Sequence, residues 1–177
     1  MDNFVVVTGC SGGGKSTLIG ELRRRGHAVV EEPGRRIVRE EMRGAGEALP
    51  WVDLSAFARR AIDMALRDRK DAENIDGWVF FDRGLIDAAA ALDHAAGGST
   101  VTRLGKRHRY HSRIFFAPPW PDLFASDKER PHDLIEATAE YQRLLTAYGS
   151  LGYEIDLLPR ASVETRADYM LGRLAQV

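Results

Sequence analysis

The sequence predicts an α/β fold with a mostly parallel sheet, and three observations support this prediction. Five short apolar runs, several of them rich in β-branched or aromatic residues, recur along the chain. Segments with apolar residues at helical spacing lie between them. A glycine-rich turn joins the first run to the first of these segments. Strands that alternate with helices favour a parallel sheet with helices packed against it.

The strands are predicted from apolar runs that end at glycine, proline or charged residues. The first run, at residues 4–7, meets Gly9 and indicates a buried strand. The run at residues 78–81 is apolar throughout and ends at Asp82, which indicates a central strand covered on both faces. The remaining strands are predicted at residues 27–31, 114–117 and 153–157.

Helices are predicted at residues 15–25, 35–43, 53–75, 85–92 and 134–148, and in a last segment that Ser162 caps. The longest has Leu54, Phe57 and Ala61 at helical spacing, with Asp53 as its N-cap. Leu54, Phe57 and Trp51 are interpreted as core or as the wall of a pocket. Loops are predicted at residues 44–50 and 120–131, and the basic stretch at residues 103–113 is assigned no helix.

Composition limits the class of protein. The chain has 177 residues, 44% of them hydrophobic and 29% charged, which predicts one globular domain over residues 1–177. One cysteine cannot form an internal disulfide, so we expect a cytoplasmic protein. No apolar run approaches the roughly 18 residues of a membrane span. The formal net charge of −1 argues against general nucleic-acid binding.

The strongest functional signal is the glycine-rich turn after the first strand. It fits the pattern G-x-x-x-x-G-K-[ST] between a strand and a helix, where backbone amides and the helix N-terminus can bind phosphate. Lys15 is predicted to neutralise the β- and γ-phosphates of ATP, and Ser16 to bind Mg²⁺. Cys10 is interpreted as a tolerated small residue rather than a reactive thiol. The predicted nucleotide-binding residues are Gly9, Cys10, Ser11, Gly12, Gly13, Gly14, Lys15, Ser16 and Thr17.

Acidic residues follow two of the predicted strands, where open α/β sheets bind their ligands. Asp82 is a candidate for holding Mg²⁺, with a helix N-cap as its structural alternative. Glu31 and Glu32 follow the second strand, and either can accept a proton from a substrate hydroxyl or orient it. A solvated pair in a turn is the alternative interpretation of these two glutamates.

Arginines accompany these carboxylates and can neutralise the charge of a moving phosphoryl group. Arg83 has the best position and is predicted to be catalytic and to bind substrate; Arg35 is the next candidate, and Arg36 is a weaker one. The loop at residues 120–131 is a candidate lid that closes over the phosphates, with Arg130 or Lys128 in contact with the β- or γ-phosphate. The alternative interpretation is an ordinary mobile loop.

A basic stretch, with His108, Tyr110 and His111 interleaved, is interpreted mainly as a solvated face. Binding of an acidic substrate, a polyphosphate or RNA is the alternative. Its charged members are Arg103, Lys106, Arg107, Arg109 and Arg113.

Taken together, these motifs resemble the small kinase-like predicted ATPases of the AAA-domain group, over nearly the whole chain. That group is related to nicotinamide riboside kinases and, more distantly, to deoxynucleoside and thymidylate kinases. The resemblance rests on the glycine loop, Glu32-Pro33, Phe80-Phe81-Asp82-Arg83, Pro118-Pro119-Trp120, Asp127-Lys128-Glu129-Arg130 and Gly152-Tyr153-Glu154.

The resemblance implies a P-loop NTPase fold, a three-layer α/β/α sandwich whose five-stranded parallel sheet has the order 2-3-1-4-5. It also implies that Glu32 is the base and that Asp82 and Arg83 form the acidic-arginine motif after the third strand. Deoxynucleoside kinases read the base with a glutamine on the long third helix. This chain has only Gln142 and Gln176, so the resemblance leaves the acceptor open, with a nucleoside-like small molecule among the candidates.

Three functions follow as hypotheses. The first is a small-molecule kinase that transfers the γ-phosphoryl group of Mg-ATP to a hydroxyl group, with catalytic residues Lys15, Glu32, Asp82, Arg83 and Arg130. The second is a nucleotide-binding regulatory ATPase or switch. The third, least favoured by the charge balance, is a polynucleotide kinase that uses the basic stretch. We expect no membrane partner, and the sequence leaves open the acceptor and the oligomeric state, a homodimer included.

Overall fold

The computed structural model describes residues 3–120 and 131–176. A five-stranded parallel sheet with the order β2-β3-β1-β4-β5 forms its centre. The predicted fold class and strand order are therefore confirmed. The strands are β1 (Phe4–Gly9), β2 (Ala28–Val30), β3 (Val79–Asp82), β4 (Arg113–Ala117) and β5 (Glu154–Leu157).

Helices cover both faces of this sheet. They are α1 (Lys15–Arg24), α2 (Pro33–Glu41), α3 (Leu54–Asp71), α4 (Leu85–Ala96), α5 (Thr100–Arg107), α6 (Pro131–Ser150) and α7 (Val163–Leu174). Two predicted N-caps are confirmed. The Asp53 carboxylate accepts a 2.9 Å hydrogen bond from the Ala56 amide, and the Ser162 hydroxyl accepts one of 3.3 Å from Thr165.

The strands divide the core into two layers. Val5 and Val7 of β1 pack with Leu18 of α1 and Met170 of α7 on one face. Phe4 and Val6 belong to the opposite layer, with residues of α3, α4 and α6. All six residues of β1 are buried, because a parallel strand between two helical layers has no solvent-facing side.

Helix α5 corrects the expectation of a basic stretch without a helix. Its first turn is capped from the preceding helix, where the Asp93 carboxylate accepts 2.9 Å hydrogen bonds from the Thr100 and Val101 amides. Because the capping residue lies seven residues before the helix, the local sequence around residue 100 does not predict where α5 begins. Helix α2 also starts earlier than predicted, because Glu32 occupies the N-cap and Pro33 fills the first turn.

The sheet register brings the candidate residues to one edge. Val7 of β1 lies opposite Asp82 of β3, and Gly9 lies opposite Ala117 of β4. Glu31 and Glu32 follow β2, whose Val30 pairs with Phe81. The carboxyl ends of β2, β3 and β4 therefore lie at the same end of the sheet as the glycine-rich turn that follows β1. None of the described helices has both the length and the apolar composition that crossing a bilayer requires.

Candidate active site

The glycine-rich turn between β1 and α1 is held against the end of β4. Gly9 has φ +112°, and a Cβ atom there would lie 2.3 Å from the Ala117 carbonyl oxygen, so no side chain fits at this position. The Cys10 amide donates a 2.9 Å hydrogen bond to that same oxygen. Gly14 is the N-cap of α1, with φ +73°. The turn therefore delivers the free amides of a helix N-terminus to the edge of the sheet.

Lys15 is buried in this turn with only 5% of its surface exposed. Its Nζ donates hydrogen bonds to the carbonyl oxygens of Cys10 at 2.7 Å and Gly9 at 3.3 Å. Burial, helped by the positive charge of Arg83 and opposed by nearby carboxylates, lowers the pKa of Lys15 to about 8. The ammonium group is therefore costly to keep charged until it meets an anion.

Asp82 ends β3 as a buried carboxylate with 5% of its surface exposed. Burial, together with the negative charge of Glu32, raises the pKa of Asp82 to about 6 against the opposing effect of nearby cations. Its Oδ1 atom is buried without a hydrogen-bond partner in the described part of the chain. The predicted alternative, that Asp82 caps the next helix, is wrong, because Gly84 is the N-cap of α4.

Glu32 is fixed between two arginines. Its carboxylate lies 2.9 Å from Arg35 Nε and 3.3 Å from Arg83 Nε. The Arg35 side chain is 61% exposed, whereas Glu32 is 17% exposed. The two oxygens of the Glu32 carboxylate therefore contact different cations, and of these only Arg35 is largely exposed to solvent.

Arg83 is at the centre of the site. Its Nη1 lies 2.8 Å from Glu140 of α6 and 3.5 Å from Asp87 of α4, in addition to the contact with Glu32. Burial alone would lower the pKa of Arg83, but these three carboxylates raise it well above the usual range. The backbone of Arg83 has φ +61°. Among residues 3–120 and 131–176, Arg83 is the only non-glycine residue in the left-handed region. Such strain is common at functional sites.

Asp87 connects this cluster to the phosphate loop. Its carboxylate accepts hydrogen bonds from the Thr8 hydroxyl, from the Gly84 amide at 2.8 Å and from the Tyr148 hydroxyl at 2.7 Å. Thr8 directly precedes Gly9 in β1. One buried carboxylate therefore joins β1, the start of α4 and helix α6, and the Arg83 guanidinium lies beside it.

A cavity of about 840 Å³ opens beside these groups. Ser16, Glu32, Asp82 and Arg83 line its charged part. Its apolar wall comes mainly from α2, α3 and α4, and includes Val38, Leu54, Phe57, Ala58, Ala61 and Ala88. The volume and the mixture of apolar and convergent polar groups are typical of a small-molecule site.

The side chains around the phosphate loop include candidate ligands for a divalent cation. The described residues hold no group of three or more His, Cys, Asp or Glu side chains that could bind a metal. Asp82, whose Oδ1 atom has no hydrogen-bond partner among the described residues, lines the same cavity as Ser16. Mg²⁺ in nucleotide sites is usually bound by one or two protein oxygens, with phosphate oxygens and water completing its coordination. One carboxylate and one hydroxyl are therefore sufficient protein ligands. The residues present therefore fit this ion.

The comparisons with known proteins agree with this geometry. A family model described as an AAA domain matches residues 4–166. The chain belongs to this AAA-domain family. No curated protein matches the chain in sequence.

Solved structures show that the AAA domain has a P-loop kinase-like fold. Deoxyadenosine kinase from M. mycoides with bound dATP is similar over 97% of this chain and 98% of its own, with a TM-score of 0.61 and 14% identity. Shikimate kinase from Acinetobacter baumannii in complex with shikimate is similar over 98% and 93%, with a TM-score of 0.56 and 15% identity.

A third structure, the NadR protein in complex with NR, has a TM-score of 0.67 and 19% identity. Its similarity covers 99% of the AAA domain but only 51% of the NadR chain. At these identities the likeness concerns the fold alone.

Of the predicted site residues, Glu32, Asp82, Arg83 and Lys15 come together around the phosphate loop. Arg35 lies at their margin. Arg36 does not join them: it forms a bidentate pair with Asp68 of α3, at 2.9 and 3.0 Å. Lys128 and Arg130, predicted to contact phosphate from a lid, lie outside the described residues.

Sequence reasoning missed Asp87, Glu140 and Arg143. Asp87 lies in the first turn of α4, whereas Arg83 precedes that helix and has a left-handed backbone, so helical spacing does not reveal their contact. Glu140 and Arg143 belong to a helix separated from Arg83 by more than 50 residues, so only the fold brings them near. Arg143 lines the cavity, and among the described residues no acidic side chain pairs with it.

The basic stretch does not form one continuous surface. Tyr110 and His111 are buried, Arg109 stacks on Tyr153 at 3.9 Å, and Arg113 pairs with Glu154 at 3.0 Å. Cys10 is also buried, and burial raises the pKa of its thiol. This supports its interpretation as a small packed residue.

Proposed function

We propose that the AAA domain is an ATP-dependent small-molecule kinase. The observation that carries this proposal is that Glu32, Asp82 and Arg83 line one cavity, while Lys15 of the phosphate loop lies near enough to feel the charge of all three. A phosphotransferase needs an anion cradle, cations around the moving phosphoryl group and a base within reach of the acceptor. The P-loop kinase-like fold of its structural neighbours agrees with this requirement.

The loop from Gly9 to Thr17 would hold the nucleotide phosphates. Its amides bind the phosphate oxygens, and Lys15 exchanges its present carbonyl partners for the β- and γ-phosphates. Ser16 and Asp82 would hold Mg²⁺, which supplies charge neutralisation at the phosphates when it is bound. Arg130 and Lys128 are proposed as additional cations from the segment at residues 120–131.

Glu32 is the proposed base and Arg83 the proposed clamp. The acceptor oxygen bonds to the γ-phosphorus, the bond to the bridging oxygen of ADP breaks, and the hydroxyl proton goes to the Glu32 carboxylate. Arg83 and Arg35 keep Glu32 oriented through the 3.3 and 2.9 Å contacts. Arg83 also stabilises the negative charge of the transferring group.

The acceptor would lie along the apolar wall, with its hydroxyl beside Glu32. Phe57 is close to this point, since a Cβ atom on Gly34 would lie 3.1 Å from the ring and 3.4 Å from a Glu32 oxygen. Gln142, one of the glutamines of the chain, is exposed and does not line the cavity. The apolar wall of the cavity therefore lacks the glutamine with which deoxynucleoside kinases read the base.

The test is ADP release from Mg-ATP, measured with and without a panel of acceptors. The panel contains nucleosides, nicotinamide riboside, sugars, vitamins, amino-alcohol antibiotics and 5′-hydroxyl oligonucleotides, with anionic and neutral pairs because Arg143 lines the cavity. We expect one acceptor class to raise the release of ADP at least tenfold, and Lys15→Met to abolish the increase. The matched control is Lys106→Met, on the exposed face of α5.

Slow release of ADP that no acceptor changes, together with nucleotide-dependent capture of a partner protein, would contradict the kinase and support the regulatory switch. Stimulation by oligonucleotide ends alone, with steep salt dependence, would support the polynucleotide kinase.

A further inference from the structure

A second buried cation lies behind the phosphate loop. Arg166 belongs to the first turn of α7 and exposes only 6% of its surface. Its Nη1 donates to the carbonyl oxygens of Gly13 at 3.3 Å and Gly14 at 3.4 Å. The guanidinium also packs closely against Gly14, where an added Cβ atom would come within 2.8 Å of Nη1. Nothing in the phosphate-loop pattern requires this arginine.

The charge of Arg166 has no acidic partner in the described part of the chain. Arg35 and Arg83 contact carboxylates within 3.5 Å, whereas the contacts of Arg166 are two carbonyl oxygens and the Trp120 ring at 5.9 Å. Its Nε atom is buried, and no residue within 3–120 or 131–176 forms a hydrogen bond with it. A buried cation without a counter-ion costs free energy, and an anion bound nearby removes that cost.

The two carbonyl contacts have a directional consequence. In a trans peptide the C=O and N–H bonds point in opposite directions, and the described residues contain no cis peptide bond. When Arg166 binds the oxygens of Gly13 and Gly14, the amides of Gly14 and Lys15 are turned to the opposite side of the loop. That side is where the helix N-terminus receives an anion.

We propose that Arg166 is the electrostatic complement of a bound polyphosphate. Arg166 binds the carbonyl side of the loop and so orients the Gly14 and Lys15 amides towards the opposite side. When phosphate groups bind to those amides, their negative charge compensates the positive charge of Arg166. Arg166 therefore selects ligands by the number of their phosphate charges, and binding is coupled to helix α7. This inference rests on the proposed nucleotide-binding role of the loop, although not on the identity of the acceptor.

The test compares the affinities of ADP and of the non-hydrolysable triphosphate AMPPNP by calorimetry, in wild type, Arg166→Gln and Arg166→Lys. Glutamine keeps a hydrogen-bond donor but removes the charge, and lysine keeps the charge without the planar guanidinium. Because Coulomb energy grows with ligand charge, we expect Arg166→Gln to weaken AMPPNP about tenfold and ADP about threefold. Arg166→Lys should recover most of that loss. Arg173→Gln, on the same helix but paired with Asp156 at 2.7 Å, is the matched control and should bind both ligands as wild type does.

A purely structural role predicts a different pattern. Equal losses for the two ligands, or a variant that binds as tightly as wild type, would overturn the inference while leaving the kinase proposal intact. Wild-type protein that binds neither ligand would overturn both. The thermal midpoint of Arg166→Gln without ligand is expected to equal or exceed that of wild type, since an unmatched buried charge is removed. If Arg166→Gln does not fold, Arg166→Met provides the uncharged comparison under the same criteria.

Discussion

The Tyr148 hydroxyl donates a 2.7 Å hydrogen bond to Asp87 Oδ2, although 61 positions separate the two residues in the chain. Tyr148 is fully buried in α6, and Asp87 lies in the first turn of α4. The same carboxylate accepts a hydrogen bond from Thr8, next to the phosphate loop. Helix α6, which also holds Glu140 against Arg83, is therefore connected to the loop through one side chain.

Tyr148→Phe tests the first part of this connection. Removal of the hydroxyl leaves Asp87 with its other donors, so we expect a loss of about 1–2 kcal/mol in the free energy of unfolding and little change in KM. Asp87→Asn should cost more and should also lower kcat about tenfold, because Arg83 loses a neighbouring charge. Urea denaturation of both single variants and the double variant measures their coupling. Fully additive losses would show that the hydrogen bond is not a shared element of the network.

Glu140→Gln tests the anchor of Arg83 on α6. Without the 2.8 Å ion pair we expect Arg83 to bind Glu32 more strongly, which makes Glu32 a weaker base and lowers kcat about tenfold with a smaller effect on the KM for ATP. Glu136→Gln, an exposed position one helical turn earlier, is the matched control and should leave kcat unchanged. Equal effects of the two substitutions would exclude a specific role for Glu140.

Lys15→Met has opposite expected effects on activity and stability. Loss of the ammonium should reduce kcat/KM by at least about 10². The folded-state pKa of about 8 lies below the unfolded value, so the charged lysine destabilises the fold below pH 8, and this penalty disappears as pH rises towards 10.4.

We therefore expect the ligand-free Lys15→Met variant to be more stable than wild type at pH 7, by up to about 3 kcal/mol. The gain should shrink above pH 8. Differential scanning calorimetry at pH 7 and pH 10 measures it. A variant that is less stable than wild type at pH 7 would contradict the assigned burial of the ammonium.

Asp82→Asn should show the complementary pH dependence. Burial raises the folded-state pKa of Asp82 to about 6, so ionised Asp82 destabilises the fold, and the penalty develops as pH rises from about 4 to 6. Relative to wild type, we expect Asp82→Asn to gain about 2 kcal/mol more stability at pH 8 than at pH 4.5. Chemical denaturation without Mg²⁺ at both pH values measures the difference. A difference near zero would place the carboxylate in contact with water.

The layout of the sheet could be predicted from the sequence because each parallel strand carries its own continuous apolar signal. The run at residues 78–81 and the motif that ends at Lys15 and Ser16 are local patterns with a direct physical meaning. The order of the strands came from the family resemblance rather than from the residues. Helix α5 was missed because its cap comes from Asp93, in another helix.

The chemistry of the site could be predicted only where it follows the strands. Glu32, Asp82 and Arg83 lie at or within two residues of the ends of β2 and β3, so their convergence follows from the parallel sheet. Glu140 and Arg166 contribute through α6 and α7, and the i, i+3 pattern of a helix does not reveal which strand end it crosses. Their contacts are visible only in the structure, where Glu140 lies 2.8 Å from Arg83 and Arg166 lies 3.3 Å from the Gly13 carbonyl oxygen.

The destination of the γ-phosphoryl group tests the central claim most directly. The protein would be incubated with γ-labelled Mg-ATP and a mixture of hydroxyl-bearing metabolites, and the label separated into inorganic phosphate and organic phosphate esters. We predict that wild type places label in an organic ester and that Lys15→Met does not. Label that appears only as inorganic phosphate, with every acceptor mixture, would contradict a kinase and identify the domain as an ATPase.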